Sequence, residues 1–519
     1  MRIIILGIFI LFSLDSFSQK LDFKVLSNEI VLGKSLLDSS EIKGIEYIFP
    51  ERIEEIYLDT ITGFLTVQLR KLSKNGKWLD NFGNILLYDL NKKKLKWNKK
   101  IAYQTSDLQQ FSNTLIYTTY NNSYCLDIDN GNELWKVKND IYFVDPKHNI
   151  GIGYRIKSLS GNKDELEGIN LKNGEVIWKK ELNREYTWNN IFYTNDSTLI
   201  VAAAGLHSIN IKNGSGWDYH TITGKKDYTE TIAKNVAGMA LGVLTGVGVV
   251  STGHNLVRDI VSNVLLDSLN LYLSSKDQLV KINKDTGEVI WNHPFQGDLQ
   301  SKSSIFTNDS LVFMINKGYA YMGNRKLNFG TPFIAAFNKD TGEQKYLSLI
   351  NVKDDPILGF HILDKEIYLV FKNRLAKYSQ ETGDLVKEIS FSEQEYGDLK
   401  YFVGNQVFGT NENGDLRNII QSDTTKVFVF TNNNKIVAVD NQLNITKTID
   451  FEDLNIYYLK TKDYKFFAKD KLTLIIDNEG KKVAEIEATS KAFLIGETLY
   501  DRQENSFFAI NLTEIINKD

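Results

Sequence analysis

The stretch from Val280 to Trp291 constrains this chain more than any other, because the chain repeats it. Val280 and Ile282 alternate with polar residues, the pattern of a half-buried strand. Asp285-Thr286-Gly287 supplies a turn in which glycine is free to take a positive φ. Val289 and Trp291 restart the alternation on the far side. The unit is therefore two short strands around a tight turn, written apolar-x-apolar-Asn/Asp-x-x-x-Gly-Glu-x-apolar-Trp.

Copies run along most of the 519 residues. Ile85 to Trp97 is one whose glycine is lost, and Leu126 to Trp135, Ile169 to Trp178 and Ile209 to Trp217 follow. Trp97, Trp135, Trp178 and Trp217 are 38, 43 and 39 residues apart. A period near 40 filled with strand-like runs predicts four strands per unit. Ala336 to Gln344 and Ala376 to Val386 keep Thr-Gly but lose the Trp, and the copies at Val437 to Leu443 and Leu474 to Lys481 are weaker. Residues 20–50 show only weak alternation, and 396–421, with Gly404, Gly409 and Gly414, reads as an extended loop or a poor unit.

A four-stranded antiparallel sheet cannot bury both faces alone; radial stacking of such sheets covers both. Trp97, Trp135, Trp178, Trp217 and Trp291 then act as flat wedges between neighbouring blades, each indole N–H seeking a turn carbonyl. Asp285 to Trp291, and nearly as well Asn173 to Trp178, closely resemble the repeat of PQQ-like β-propellers, over roughly residues 50–512. That family includes quinoprotein alcohol dehydrogenases and the propeller lipoprotein of the Bam outer-membrane assembly machine. The resemblance implies an all-β fold, a single β-propeller of four-stranded antiparallel blades over 19–519. With eight to ten candidate units, we expect eight blades.

Resemblance to the repeat does not carry the cofactor with it. The quinoprotein members hold PQQ with calcium and often a vicinal disulfide, and one cysteine, Cys125, excludes that disulfide. No Asp/Glu/Asn set is assignable to calcium, so no cofactor, metal or catalytic residue is expected. Asp127 to Gly131 resembles the start of a calcium loop but aligns with the repeat turn Asn170 to Gly174. The six histidines lack close metal-ligand spacing and read as surface or loop residues. Cys125 reads as a small apolar residue in a strand. A net charge of -4 gives no basic field for nucleic acid.

The period breaks between Trp217 and Trp291, which are 74 residues apart. The surplus predicts a Gly-rich, apolar helical insertion at about 230–266. Gly238, Gly242 and Gly246 recur every fourth residue and would share one helix face. Leu256 to Leu266 reads as an amphipathic helix, with Leu256, Val257 and Ile260 as candidate interaction residues. Three roles are open: a hairpin packed on the propeller, a docking or self-association element, or a membrane-surface contact.

Arg2, the apolar run Ile3 to Leu14 and the small residues Ser16 and Ser18 read as a cleaved signal peptide over 1–18 with no lipobox cysteine, hence a periplasmic or secreted chain. The expected function is a non-catalytic, exported β-propeller that acts as a protein-binding scaffold in the cell envelope. Two alternatives stand beside it: a propeller-scaffolded, quinoprotein-like or other enzyme with a central-channel site, and a self-associating structural module using 230–266.

Overall fold

The computed structural model describes residues 23–516 apart from 60, 74, 77–78, 103–105, 112–113, 120–121, 157–163, 183–187, 189, 204, 222–260, 296–299, 323–324, 351–354, 404–408, 411–415, 418–424 and 451–455. The expected signal segment 1–18 lies outside the described residues. So do Gly238, Gly242, Gly246, Leu256, Val257 and Ile260. Among the described residues the fold is all-β, with two helices of one turn each, Glu393–Tyr396 and Thr513–Ile516.

Eight separate sheets have four antiparallel strands each. They span residues 52–102, 106–137, 139–181, 190–220, 265–294, 303–349, 359–390 and 399–450. The sixth carries an extra hairpin, Tyr319–Met322 with Arg325–Asn328, between its second and third strands. A ninth sheet of nine strands contains two more four-stranded groups. One is built from 456–487. The other combines Phe493–Ile495, Thr498–Gln503 and Ser506–Asn511 with the N-terminal strand Glu41–Ile48. Strand Leu26–Ser35 joins the two, pairing with Glu41–Ile48 on one edge and with Lys482–Glu487 on the other. The weakly alternating residues 20–50 thus include two long strands. Alternation is faint because much of Leu26–Ser35 lies exposed.

Hydrophobic clusters lie between successive sheets. Trp178 packs with Leu199 and Val201 of the following sheet, and Trp291 with Val312, Met314 and Phe337. The middle strands are therefore covered on both faces, as in Gln278–Asn283, whose four central residues are all buried. This corrects the half-buried reading of Val280 to Ile282. Lys281 is buried as well, and its Nζ donates to the Lys339 carbonyl of the next sheet at 3.0 Å.

A bulge explains a second departure. Ile282 pairs with Val289 and Lys281 with Trp291, which leaves Ile290 as an extra residue. Val289 and Ile290 consequently face outward, 42% and 47% exposed, while Trp291 turns in. The same irregularity recurs in the third-to-fourth strand pairing of the sheets at 52–102, 139–181, 303–349, 359–390 and 399–450.

The helix expected over Leu256 to Leu266 is corrected at its described end. Residues 261–264 are not helical, and Leu265–Leu266 is the first strand of the fifth sheet, paired with Tyr272 and Leu271. Val261 is fixed by backbone bonds from its N–H to Ser274 and from Ser303 N–H to its carbonyl. Burial against neighbouring strands overrides a helical period this short. Residues 396–421 likewise contain structure: strand Leu399–Val403 opens the eighth sheet.

Candidate functional site

In a four-stranded antiparallel sheet, the turns after strands one and three leave at one end. The connections after strands two and four leave at the other. The Asp-Thr-Gly turns all follow third strands, so they share one end, called here the turn end. The other, the loop end, carries the entry to the insertion after His220, the hairpin 319–328 and the connections 295–302, 350–358 and 391–398.

The turn end is uniform. Asn283 Oδ1 accepts the N–H groups of Asp285 (2.9 Å) and Thr286 (3.0 Å), and Gly287 N–H donates to the Asn283 carbonyl. Asn170, Asn210 and Asn338 begin their turns in the same way. Asp127 does too, which makes it a turn residue and not part of a calcium loop. Across each junction the preceding Trp rests on the turn glycine, and its Nε1–H donates to a turn carbonyl. Trp97 reaches Ile128 (2.9 Å), Trp135 reaches Leu171 (2.7 Å) and Trp178 reaches Ile211 (2.7 Å). Trp217 reaches Lys284 (3.0 Å) and Trp291 reaches Lys339 (3.1 Å). Where Trp is lost, Tyr346 donates to the Gln380 carbonyl at 2.9 Å. The Trp rings and Tyr346 sit in the sheet junctions.

The loop end is irregular and holds the unusual groups. At its centre is Asn316, whose Oδ1 accepts the N–H of Ser301 (2.7 Å) and the hydroxyls of Ser301 and Ser303 (3.0 Å each). Its Nδ2 donates to the Thr331 carbonyl, and Gly318 N–H donates to Ser301 Oγ. This buried knot clamps residues 301–303 to the base of the hairpin. Lys302 lies between the two serines and Lys317 beside the asparagine, and Lys317 N–H donates to the Lys302 carbonyl. Lys326, on the hairpin, sits over the Tyr319 ring at 4.1 Å, and Lys317 over Phe360 at 5.9 Å. Among the described residues no carboxylate pairs with any of the three. Burial, together with the charges of Lys302 and Lys326, pushes Lys317 down to about 8; burial also lowers Lys302 and Lys326.

Beside this group, Ile357 N–H donates to the Lys317 carbonyl, and an open cleft of about 410 Å³ begins. Asp355, Lys372, Asp398, Lys400, Tyr401 and Asn432 are among its lining residues, drawn from the seventh and eighth sheets and the connections into them. Asp355 holds Arg374 at 3.1 Å, and Arg374 lies 3.6 Å from the Phe371 ring centroid. Tyr401 is half exposed and stacks on Phe430. No spacing in the sequence announces this surface, because Lys302 sits on the connection into the sixth sheet and Lys317 and Lys326 on the connection that carries its hairpin.

Two other residues need placing. His207 is buried in strand Gly205–Asn210, contrary to the surface reading, with Nδ1 2.7 Å from Asp218 and Nε2 2.9 Å from the Ala203 carbonyl. Cys125 is buried in Ser123–Leu126, and burial pushes its thiol up to about 11. Among the described residues no group of three His, Cys, Asp or Glu side chains is placed to hold a metal ion. None of their helices is long and apolar enough to cross a membrane.

No curated protein matches the sequence. Similar solved structures include BamB from Moraxella catarrhalis, 10% identical, covering 73% of this chain and 96% of that one with a TM-score of 0.32. The computationally designed Ika8 protein is 10% identical over 74% of this chain and 100% of its own, TM-score 0.32. A eukaryotic initiation factor is 10% identical over 93% and 98%, TM-score 0.35. The sequence profile described as outer membrane protein assembly factor BamB matches residues 162–446. That match covers more than half of the chain, which therefore belongs to this family of PQQ-like β-propeller repeat proteins.

Proposed function

We propose that this chain is an exported, non-catalytic β-propeller of the cell envelope that binds a protein partner through its loop end. The carrying observation is the asymmetry of the two ends. At the turn end the same Asn/Asp-to-Gly turn recurs and is occupied by the wedge of the preceding sheet. At the loop end the connections diverge, charged and aromatic side chains are displayed, and a cleft opens beside Tyr401 and Lys400. Loops on a rigid repeat scaffold are where such proteins place recognition. In this reading the four-stranded groups are the blades, ten with the two in the nine-stranded sheet, not the eight expected from the repeat count. Membership of the BamB family supports an envelope setting and a protein partner.

Cross-linking in envelope extract followed by peptide mapping tests this. Partner cross-links are expected from Lys372 and Lys400 and should fall when Tyr401 and Lys400 are replaced by Ser and Glu. Cross-links concentrated on Lys284 at the turn end would overturn the assignment. A variant lacking 230–260, which stops short of the fixed Val261, tests the insertion. Unchanged partner recovery and unchanged size would remove it from docking and self-association. Adding PQQ with calcium is expected to leave the melting temperature unchanged; a shift of several degrees would restore the quinoprotein reading.

A further inference from the structure

We propose that the turn end of the first sheet, around Ile61 and Lys92 to Lys94, docks on an anionic phospholipid surface, which goes beyond the partner reading of the loop end. Two hairpin turns lie side by side there. One joins Arg52–Asp59 to Phe64–Leu72, and the other joins Leu79–Asp89 to Lys94–Ala102. Phe64 pairs with Asp89, Leu90 N–H donates to the Gly63 carbonyl at 3.0 Å, and Asn91 Nδ2 donates to the Thr62 carbonyl at 3.2 Å. Ile61 stands at the tip of the first turn, 91% exposed. The tip is held in place: Ile61 N–H donates to Asp59 Oδ1 at 2.9 Å, and Gly63 N–H to the Asp59 carbonyl at 2.8 Å. A lone exposed isoleucine is ordinary on a protein surface. Its neighbours give this one a meaning.

From Leu90 to Thr105 the chain has six lysines and no carboxylate, in a protein of net charge -4. Lys92, Lys93 and Lys94, on the second turn, are all exposed. Among the described residues Lys93 and Lys94 have no carboxylate partner, and Lys92 has only Asp89, at 3.9 Å. Lys93 is the telling residue. In the six sheets that follow, the same turn position is Gly131, Gly174, Gly214, Gly287, Gly342 and Gly383, with φ between 72° and 77°. Lys93 holds a left-handed φ of 49° with a side chain attached. A strained backbone kept together with a charged side chain indicates that the charge is used. Leu36 and Leu37 are exposed on the turn before Glu41–Ile48, which leaves the adjoining sheet at the same end. Apolar tips among ammonium groups suit a bilayer interface. The aliphatic side chains enter below the headgroup phosphates, and the lysines stay level with them. A purely acidic protein patch would pair the lysines but leave Ile61 in water.

The test uses residues 19–519, which include every described strand, so that the apolar run Ile3 to Leu14 does not itself enter vesicles. In sedimentation the wild type should partition onto phosphatidylglycerol vesicles and not onto phosphatidylcholine, and added salt should release it. Replacing Lys92, Lys93 and Lys94 together by Gln should lower the partition by at least about tenfold. Ile61→Ser should lower it severalfold and leave its salt dependence as in wild type. Lys93→Gly should weaken partition and yet melt higher than wild type, since it removes a charge and relieves the left-handed backbone. Ile61→Cys carrying an environment-sensitive dye should shift its emission to the blue on the anionic vesicles; Cys125 is buried and stays unlabelled. Equal partition onto the two lipids, full partition in the triple variant or in Ile61→Ser, or an unshifted dye would overturn the proposal. If these variants instead lose protein cross-links and keep their vesicle binding, the turn end is a protein face and the proposal fails. Loss of vesicle binding with the loop-end cross-links intact sustains it apart from the partner reading.

Discussion

Trp291 and Gly342 act as one joint. Gly342 has φ +74°, and a Cβ there would lie 2.6 Å from the Trp291 ring. Trp291→Ala should lower stability by about 3–5 kcal/mol as a buried large-to-small change. Gly342→Ala should also destabilise, through left-handed strain of about 1–3 kcal/mol plus the clash. Urea titrations of both variants and the double variant should give less than the sum, because removing the ring relieves the clash but not the φ strain. Strict additivity would break the joint. Asp218 offers a pH test. Burial opposes its ionisation, but bonds from His207 and Lys180 outweigh this and hold its carboxyl below the usual range. A depressed carboxyl gives stability that is present above its unfolded value near 4 and lost as pH falls through the folded value. Wild type should therefore lose more melting temperature between pH 5 and pH 3 than Asp218→Asn does. The Trp and Gly of the joint were both legible in the motif. A wedge reaching a neighbouring turn carbonyl was legible too; that the ring rests on the turn glycine was not, because the glycine is already required by its own turn. Lys93, at φ 49°, shows that the turn tolerates loss of glycine at a cost.

The hairpin of Leu26–Ser35 and Glu41–Ile48 shows the same limit among elements. Its strands were nearly invisible in the sequence because much of Leu26–Ser35 is exposed and the second partner of each strand lies more than 400 residues away, at Gly44↔Ile510 and Gly33↔Ile486. The blade strands were legible because turn and partner are local. Gly33 sits where a Cβ would lie 2.2 Å from the Glu485 carbonyl oxygen. Gly33→Ala should therefore part the hairpin from Lys482–Glu487, lower the melting temperature by several degrees and open 23–48 to protease. Unchanged digestion would show that this crossing does not hold the strand. The helical reading failed over 261–266 for a related reason: Leu265–Leu266 takes its conformation from Tyr272 and Leu271.

Across the whole molecule, the strength of the junctions is graded. Five carry a Trp; the following one uses Tyr346, and the next relies on Lys377 and Lys387 reaching the carbonyls of Asn441 and Gln442. Among the described residues the clusters around Phe428 and around Phe467 do not merge. Nearest-neighbour coupling sets local stability in stacked repeats. Amide exchange should accordingly be faster in 427–450 and 464–477 than in 165–210, and uniform protection would count against graded coupling. The loop-end lysines escaped the sequence because 15 and 9 residues separate them; the Asn316 knot brings the Lys302 and Lys317 segments together, and the hairpin returns Lys326 to Tyr319. The pairing of Glu41–Ile48 with Ser506–Asn511 also sets a timetable. Roughly 460 residues must be made after the first of these strands before its partner exists, about half a minute to a minute and a half at ~5–20 residues per second. Through that interval a strand edge waits unpaired. Strand Ser506–Asn511 is thus a clasp, and a product that stops short of it leaves the second edge of Glu41–Ile48 without its partner.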